Sequence, residues 1–226
     1  MPRFNRMQVL NAALEGGIIP IFHHGSLDVM KKAVRACDQG GVRLFEMVNR
    51  GDGAFRLFSE LEAFCASELP GMILGAGTVV DAATADLYIN AGASFIVSPV
   101  LNPGIARTCN RRKVPHVPGV ATLTEISLAE ELGCEIVKLF PAGEIGGPAY
   151  LKAIRGPCPW SSVMPSGGVQ LTEESLGAWF GAGAACVAVG GSLFSKDVVN
   201  SGDFSGITAK LAKAVAIIRK LKKTGK

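Results

Sequence analysis

Short apolar runs recur along the whole chain at a regular spacing, and this rhythm limits the folds that the chain can adopt. Eight such runs begin near residues 17, 42, 71, 94, 114, 136, 161 and 186. The segments between them have apolar residues at helical spacing, and several end at glycines, as in CDQGG, INAGA and FGAGA. Because strands that alternate with helices return to the same edge of a sheet, we predict that the eight strands pair in parallel.

The runs are apolar without alternation, which is typical of strands covered on both faces. We therefore predict an α/β fold, a (β/α)8 TIM barrel with an extra N-terminal helix over residues 4–15. A doubly wound open sheet is the alternative, but no G-x-G-x-x-G motif opens a helix. The chain has no linker or low-complexity segment, so we predict a single domain over residues 1–226.

Composition narrows the class of protein further. No apolar run has the length of a membrane-spanning helix, and the first residues lack the apolar core and cleavage site of a signal peptide, so we expect a cytoplasmic protein without a membrane partner. The formal charge of +4 arises from seven Lys or Arg, with no acid, from Ile207 onward. Basic and aromatic residues are not interleaved elsewhere, so we expect no nucleic-acid partner. Six cysteines far apart and three histidines predict reduced thiols and no metal site.

The stretch EIVKLFPAG, residues 135–143, places one charged side chain inside an apolar strand. Alternation puts Lys138 on the same face as Ile136 and Phe140. A buried ammonium is costly, so two interpretations remain open. Either Lys138 pairs with a carboxylate, for which Glu46 is a candidate, or apolar surroundings keep the amine neutral. A neutral amine attacks carbonyl carbon and forms a Schiff base.

Glu46 raises the same question in the second predicted strand, because it shares a face with Leu44 and Val48. A lysine and a glutamate that both face inward supply a nucleophile and a general acid or base, but a structural ion pair has the same sequence. Arg50 lies just beyond the strand and suits a substrate carboxylate, which its planar fork binds through two hydrogen bonds. A surface loop position is the alternative for Arg50.

Paired glycines follow the last two predicted strands, in PSGGV and VGGSLF. At these places backbone N–H groups approach an anion closely, and this is the usual phosphate position of the barrel fold. The serine in each segment adds a hydroxyl donor. One Gly-Gly pair alone is typical of a plain turn, but two pairs in these positions favour a phosphate site.

Seven segments, in this order, resemble the 2-keto-3-deoxy-6-phosphogluconate (KDPG) and 4-hydroxy-2-oxoglutarate (KHG) aldolase family. They are GGVRLFEMVNR, LGAGTV, FIVSPVLNP, PGVATLTEI, VKLFPA, PSGGV and AVGGSLF, and they span nearly the whole chain. The resemblance implies a class I aldolase without metal or other cofactor, assembled as a homotrimer of (β/α)8 barrels. It implies reversible cleavage of a 2-oxo acid, KDPG, to pyruvate and glyceraldehyde 3-phosphate.

The resemblance also implies roles for named residues. Lys138 forms the Schiff base with the C2 carbonyl, and Glu46, through a water, takes the proton from the C4 hydroxyl as the C3–C4 bond breaks. The other implied site residues are Arg50 and Thr78 at the carboxylate, Pro99 and Phe140 around pyruvate, Ser166 beside the reacting aldehyde, and Gly167, Gly168, Gly190, Gly191 and Ser192 at the phosphate.

Three departures from the family pattern concern the substrate more than the mechanism. Val48 replaces the threonine of Glu-x-Thr-x-Arg, Leu123 replaces a proline, and Ser166 stands where threonine is common. They leave open whether KDPG, its galactonate epimer or KHG is preferred.

Two further questions stay open in the sequence. One concerns a different class of protein, a non-catalytic phosphate-sugar binder in which Lys138 and Glu46 form only an ion pair. The other concerns the adjacent His23 and His24 at the end of the first predicted strand. They either contact substrate or lie solvated in a loop, and we favour the solvated interpretation.

Overall fold

The structure, a computed structural model, describes residues 2–224. In this part of the chain nine short strands alternate with ten helices. The strands are β1 (Ile18–Phe22), β2 (Leu44–Val48), β3 (Ile73–Gly77), β4 (Ile96–Val97), β5 (His116–Val117), β6 (Gly119–Val120), β7 (Val137–Leu139), β8 (Val163–Pro165) and β9 (Val187–Val189). The helices are α1 (Arg6–Gly16), α2 (Leu27–Gln39), α3 (Ala54–Glu68), α4 (Ala82–Asn90), α5 (Pro103–Arg112), α6 (Leu123–Glu131), α7 (Gly147–Arg155), α8 (Glu173–Gly181), α9 (Lys196–Ser201) and α10 (Ser205–Thr224).

The strands form a closed, parallel barrel with eight positions. One sheet has the order β5-β4-β3-β2-β1-β9 and a second has the order β6-β7-β8. β5 and β6 follow each other around Pro118 and share the fifth position. A parallel bridge between Ser166 and Ala188 joins the end of β8 to β9 and closes the ring. The predicted barrel is therefore confirmed, and the doubly wound alternative is excluded because the first and last strands are neighbours.

The fifth predicted strand differs in one respect, because it is split in two. Proline has no N–H to donate to a neighbouring strand, so the ladder is interrupted at Pro118. The chain resumes pairing at Gly119, which lies opposite Lys138 of β7.

Two apolar clusters hold the barrel together. The larger one lies between the strands and the outer helices. The smaller one fills the barrel interior, where α1 also contributes. Its buried members are Val9, Leu10, Ala12, Ala13, Ile19, Leu44, Ile73, Phe95, Val97, Val117, Ile136, Met164, Cys186 and Ala188.

Helix α1 is the predicted extra helix, and it covers the N-terminal end of the barrel. It begins two residues later than predicted because Asn5 caps it: the Gln8 N–H donates to the Asn5 side chain, and the Gln8 side chain accepts from the Asn5 N–H. Arg3 donates to Glu62 Oε1 at 2.6 Å. Arg6 donates to Asn110 Oδ1 at 2.8 Å. These contacts fasten α1 to two different sides of the barrel.

The basic C-terminal segment forms α10, which packs against α2 and α8. Its buried residues include Leu211 and Ile218. Lys222 donates to the carbonyl oxygens of Leu14 and Ala185, and burial lowers the pKa of its amine. Of the basic residues in this segment, at least Lys222 therefore stabilises the fold. No helix within residues 2–224 combines the length and apolar character needed to cross a bilayer.

Candidate active site

A cavity of about 640 Å³ opens at the C-terminal ends of the barrel strands, at the end opposite α1. This is the end at which (β/α)8 barrels carry their active sites. The structure brings all the sequence-predicted site residues to the wall of this one cavity. They are Glu46, Arg50, Thr78, Pro99, Lys138, Phe140, Ser166, Gly167, Gly168, Gly190, Gly191 and Ser192.

Strand alternation explains why side chains from distant parts of the sequence meet there. Leu44, Ile136 and Met164 all belong to the interior cluster. Side chains two positions further along each strand point to the same side, so Glu46, Lys138 and Ser166 lie at the barrel mouth. The polar residues of the cavity are thus placed by the same alternation that fills the barrel with apolar side chains.

Lys138 and Glu46 come from strands that are not neighbours and meet across the mouth of the barrel. Lys138 Nζ lies 3.7 Å from Glu46 Oε1, and the two side chains are 10% and 1% exposed. Burial raises the pKa of the Glu46 carboxyl group, although the charges of Lys138 and Arg50 act in the opposite direction. Glu46 Oε2 is buried and has no hydrogen-bond partner among the described residues. Such a carboxyl group is suited to accept and return a proton.

Two glycines make room for the polar groups of the cavity wall. Gly77 in β3 pairs with Val48 of β2, and a Cβ atom built on Gly77 would overlap the Glu46 carboxylate. A Cβ atom on Gly119 would overlap the carbonyl group of Pro99. Sequence reasoning missed both positions. Glycine inside a strand pattern is the signal that could have found them, because it marks a close approach of other atoms.

Thr78 follows β3 and has a φ of 57°, in the left-handed region. This conformation is an outlier for a β-branched residue. Backbone hydrogen bonds hold both sides of it: Asn49 N–H donates to the Gly77 carbonyl at 2.8 Å, and Val79 N–H donates to the Val97 carbonyl at 3.2 Å. Strained residues of this kind cluster at functional sites, and Thr78 lines the cavity.

Phe140 and Pro99 form the apolar side of the cavity near the lysine. Lys138 Nζ lies 5.4 Å from the centre of the Phe140 ring, a distance that permits a cation–π contact. Both residues also line a second cavity of about 680 Å³ between α5 and α6. Phe140 is 40% exposed because its ring lies between the two cavities.

The loops after β8 and β9 lie side by side at the opposite side of the cavity. Gly168 has a φ of 81°, and a Cβ atom there would come within 2.8 Å of the Gly143 Cα atom. Ser192 Oγ donates to the Val169 carbonyl at 3.3 Å and links the two loops. Within the described residues, the backbone N–H groups of Gly191 and Ser192 find no acceptor. These N–H groups are therefore available to an anion.

A family model of "KDPG and KHG aldolase" matches residues 9–210 of the chain. The chain belongs to this aldolase family. It is 34% identical over 204 residues to the 2-dehydro-3-deoxy-phosphogluconate aldolase of Treponema pallidum, covering 89% of this chain and 93% of the relative. It is 39% identical over 172 residues to the protein of the same name from Pseudomonas aeruginosa, covering 74% of each.

Solved structures give the same result. The KDPG aldolase of Legionella pneumophila, captured with pyruvate at low pH as a covalent carbinolamine intermediate, superposes with a TM-score of 0.80. It is 25% identical, and the match covers 90% of this chain and 97% of that one. The resemblance inferred from the seven segments is therefore confirmed, and the protein is an aldolase, which makes it a lyase.

The aldolase cavity also has lining residues that sequence reasoning did not select. Phe22 and Phe194 stack with ring centres 4.3 Å apart; Phe22 ends the first strand, and Phe194 lies in the loop after the last one. They are apolar residues and carry no chemical signal in the sequence. The full set not selected is Ile21, Phe22, Val169, Gln170, Ala188 and Phe194.

The two histidines of the aldolase have different surroundings. His23 lines the cavity, and its Nδ1 atom is buried without a hydrogen-bond partner among the described residues. His23 is only partly buried, so its place in the cavity wall does not contradict the solvated interpretation. His24 instead accepts a hydrogen bond at Nδ1 from the Ser26 N–H at 3.0 Å. Of the three departures from the family pattern, Val48 and Ser166 line the cavity, whereas Leu123 begins α6 outside it.

Proposed function

We propose that the protein is a class I aldolase that reversibly cleaves KDPG to pyruvate and glyceraldehyde 3-phosphate without a metal or other cofactor. The observation that carries the proposal is the buried Lys138 amine, 3.7 Å from the Glu46 carboxylate, at the bottom of a cavity at the strand ends. The covalent carbinolamine captured in the Legionella pneumophila relative supports an amine nucleophile. No group of three or more metal-binding side chains occurs in residues 2–224.

In the proposed reaction the Lys138 amine attacks the C2 carbonyl, and loss of water gives the Schiff base. Glu46 takes the proton of the C4 hydroxyl through a water, and the C3–C4 bond breaks. Its electrons move into the Schiff base to give the enamine of pyruvate, and the aldehyde leaves. Protonation of the enamine carbon and hydrolysis then release pyruvate and restore the Lys138 amine. The raised pKa of Glu46 suits this exchange, because the group can hold a proton and return it.

The same proposal assigns binding roles to the other residues of the cavity wall. Arg50 and Thr78 bind the carboxylate of the 2-oxo acid, and Pro99 and Phe140 enclose its pyruvate half. Ser166 lies beside the reacting aldehyde. The phosphate binds to the backbone of Gly167, Gly168, Gly190, Gly191 and Ser192, which line one side of the cavity.

The proposal is tested by reducing the enzyme with borohydride in the presence of pyruvate and mapping the modified peptide by mass. We expect a reduced adduct on the peptide that contains EIVKLFPAG, because reduction fixes a Schiff base as a stable amine. Lys138→Ala is the control and should give no adduct while remaining folded. Folded wild-type protein without an adduct would contradict the aldolase mechanism and favour the non-catalytic binder.

The galactonate epimer of KDPG and KHG are the alternative substrates, because of the residues at Val48 and Ser166. Both side chains lie at the cavity wall and both lack a group that the family often has. Comparing cleavage rates for the three compounds decides between them. Equal rates with and without the substrate phosphate would remove the phosphate-site assignment.

We also propose a homotrimer, one domain and a cytoplasmic location. The trimer is supported by the second cavity, whose wall contains the exposed apolar side chains of Val100 and Leu128 beside Phe140. Arg107 and Glu131 bring both signs of charge to the same surface, which suits contact with another copy of the chain. The location is supported by six cysteines that are all free thiols.

A further inference from the structure

His23 has the surroundings of a binding residue, whereas His24 does not. The His23 ring lines the large cavity, and its buried Nδ1 atom has no hydrogen-bond partner in the described chain. A buried polar atom without a partner is unfavourable, so a ligand that gives this ring a hydrogen-bond partner would be favoured. His24 lies outside the cavity lining, and its Nδ1 atom already accepts from Ser26.

Strand register places His23 between two anion-binding parts of the cavity. On one side, Ile21 and Phe22 of β1 lie opposite Glu46 and Met47 of β2, so His23 continues beside the chain that leads to Arg50. On the other side, Pro20 lies opposite Val189 of β9. β9 ends at Val189, and Gly191 and Ser192 of the loop that follows line the same cavity as His23.

The charges of the cavity wall favour an anion near His23. Among the described lining residues Glu46 is the one acid, and it faces Lys138. Arg50 is close enough for its charge to act on His23. A dianion held by the β9 loop would thus meet a nitrogen donor on the β1 side as well.

We propose that His23 binds the phosphate of the aldehyde half of the substrate, opposite the backbone of the β9 loop, and takes up a proton as the phosphate binds. This inference rests on the proposed function, because it concerns the same cavity and substrate. His23 would therefore set the preference for phosphorylated over unphosphorylated 2-oxo acids.

The free site holds His23 in its neutral form near pH 7. Burial lowers the pKa of the ring, and His24 and Arg50 act in the same direction. A bound dianion favours the protonated ring, which then donates from both nitrogens. The nearest charged or titratable groups are His24 on the same segment and Arg50 after β2. Three more, Asp52, Arg56 and Glu60, lie in a cleft that His23 shares with α3. Glu46 and Lys138 lie across the cavity, and the described lining residues of the β9 loop add no charged group.

The first test compares kcat/KM for KDPG and for 2-keto-3-deoxygluconate, which is the same substrate without phosphate. For His23→Ala we expect a loss of about 10-fold or more on KDPG and less than about 2-fold on the unphosphorylated substrate, because a charge-assisted hydrogen bond is lost from one substrate only. His24→Ala is the matched control and should leave both values unchanged. Equal losses on the two substrates, or no loss on either, would overturn the proposal.

A second test uses sulfate, which stays a dianion from pH 5 to 9. Its affinity for the wild-type protein should weaken as pH rises, because His23 must be protonated to bind it best, and His23→Gln should remove this part of the pH dependence. A pH dependence that is the same in His23→Gln would overturn the proton uptake. The borohydride adduct with pyruvate separates the two proposals: both histidine variants should still form it, and only its absence from wild type contradicts the aldolase mechanism itself.

Discussion

At the scale of single residues, the burial of Glu46 is hard to explain as a contribution to stability. Its side chain is 1% exposed, and one carboxylate oxygen lacks a partner in the described residues. A buried ion pair often stabilises a fold no more than apolar residues of the same size do. Stability alone therefore does not explain why Lys138 and Glu46 are buried together. Because Glu46 lines the cavity, its carboxyl group is better explained as a partner for a water or a substrate hydroxyl.

Glu46→Gln separates this role from a structural one, because the amide keeps the size of the side chain and cannot accept the proton. We expect the pyruvate Schiff base on Lys138 to form, while cleavage slows by about 10²–10⁴-fold. The wild-type rate should also fall as pH drops through the raised pKa of Glu46, because protonation removes the base. The measurements are the borohydride adduct and the steady-state rate between pH 5 and 9. Cleavage at the wild-type rate would remove Glu46 from the mechanism.

Some features of single residues could be predicted from the sequence and others could not. Alternation placed Lys138 and Glu46 on the inner side of the barrel, since a two-residue period needs no knowledge of tertiary contacts. The different surroundings of His23 and His24 depend on the hydrogen bond between His24 and Ser26 in the loop and on the residue at which β1 ends. Neither is encoded in a periodic pattern.

At the scale of elements, the eight strand positions were predictable because buried parallel strands are continuous apolar runs. The break between β5 and β6 follows from Pro118, a signal that was present in VPHVPGV. The start of α1 depends on the Asn5 cap, which moves it two residues from the predicted boundary. Element ends are set by individual side chains, whereas element types are set by patterns.

The β3 strand carries a prediction of its own, because Gly77 leaves space that the Glu46 carboxylate occupies. We expect Gly77→Ala to destabilise the protein by about 1–3 kcal/mol and to slow cleavage, because the added methyl group displaces Glu46. Urea unfolding and steady-state cleavage measure the two effects. Gly177→Ala in α8 is the matched control, since a Cβ atom there meets nothing within 4 Å. Unchanged cleavage in folded Gly77→Ala would contradict the close approach.

At the scale of the whole molecule, the two ends of the barrel have different tasks. One end is closed by α1, which Arg3 and Arg6 fasten to the α3 and α5 sides. The other end holds the cavity, a strained Thr78 and an unpaired Glu46 oxygen. The contacts that stabilise the barrel and the residues of the cavity therefore lie at opposite ends of the strands, as is usual for barrels of this class.

The proposed trimer is tested by introducing charge into the groove between α5 and α6. Val100 and Leu128 are 52% and 46% exposed. We expect Val100→Glu together with Leu128→Glu to give monomers, because the contact would have to bury two added carboxylates where apolar side chains now lie. Analytical ultracentrifugation measures the mass, and Val80→Glu is the control, since Val80 is exposed to a similar extent but lies outside the groove. A wild-type monomer, or a double variant that stays trimeric, would contradict the proposed interface.

The glycines of β3 matter for any attempt to raise the thermal stability of this protein. Replacing strand glycines by larger residues is a standard way to stabilise a protein, and the GAG that ends β3 is an obvious target. Here a methyl group at Gly77 would occupy the volume in which the Glu46 carboxylate lies. Variants selected for heat resistance alone could carry a larger residue at this position, and in such folded barrels Glu46 would be displaced from the place it has here.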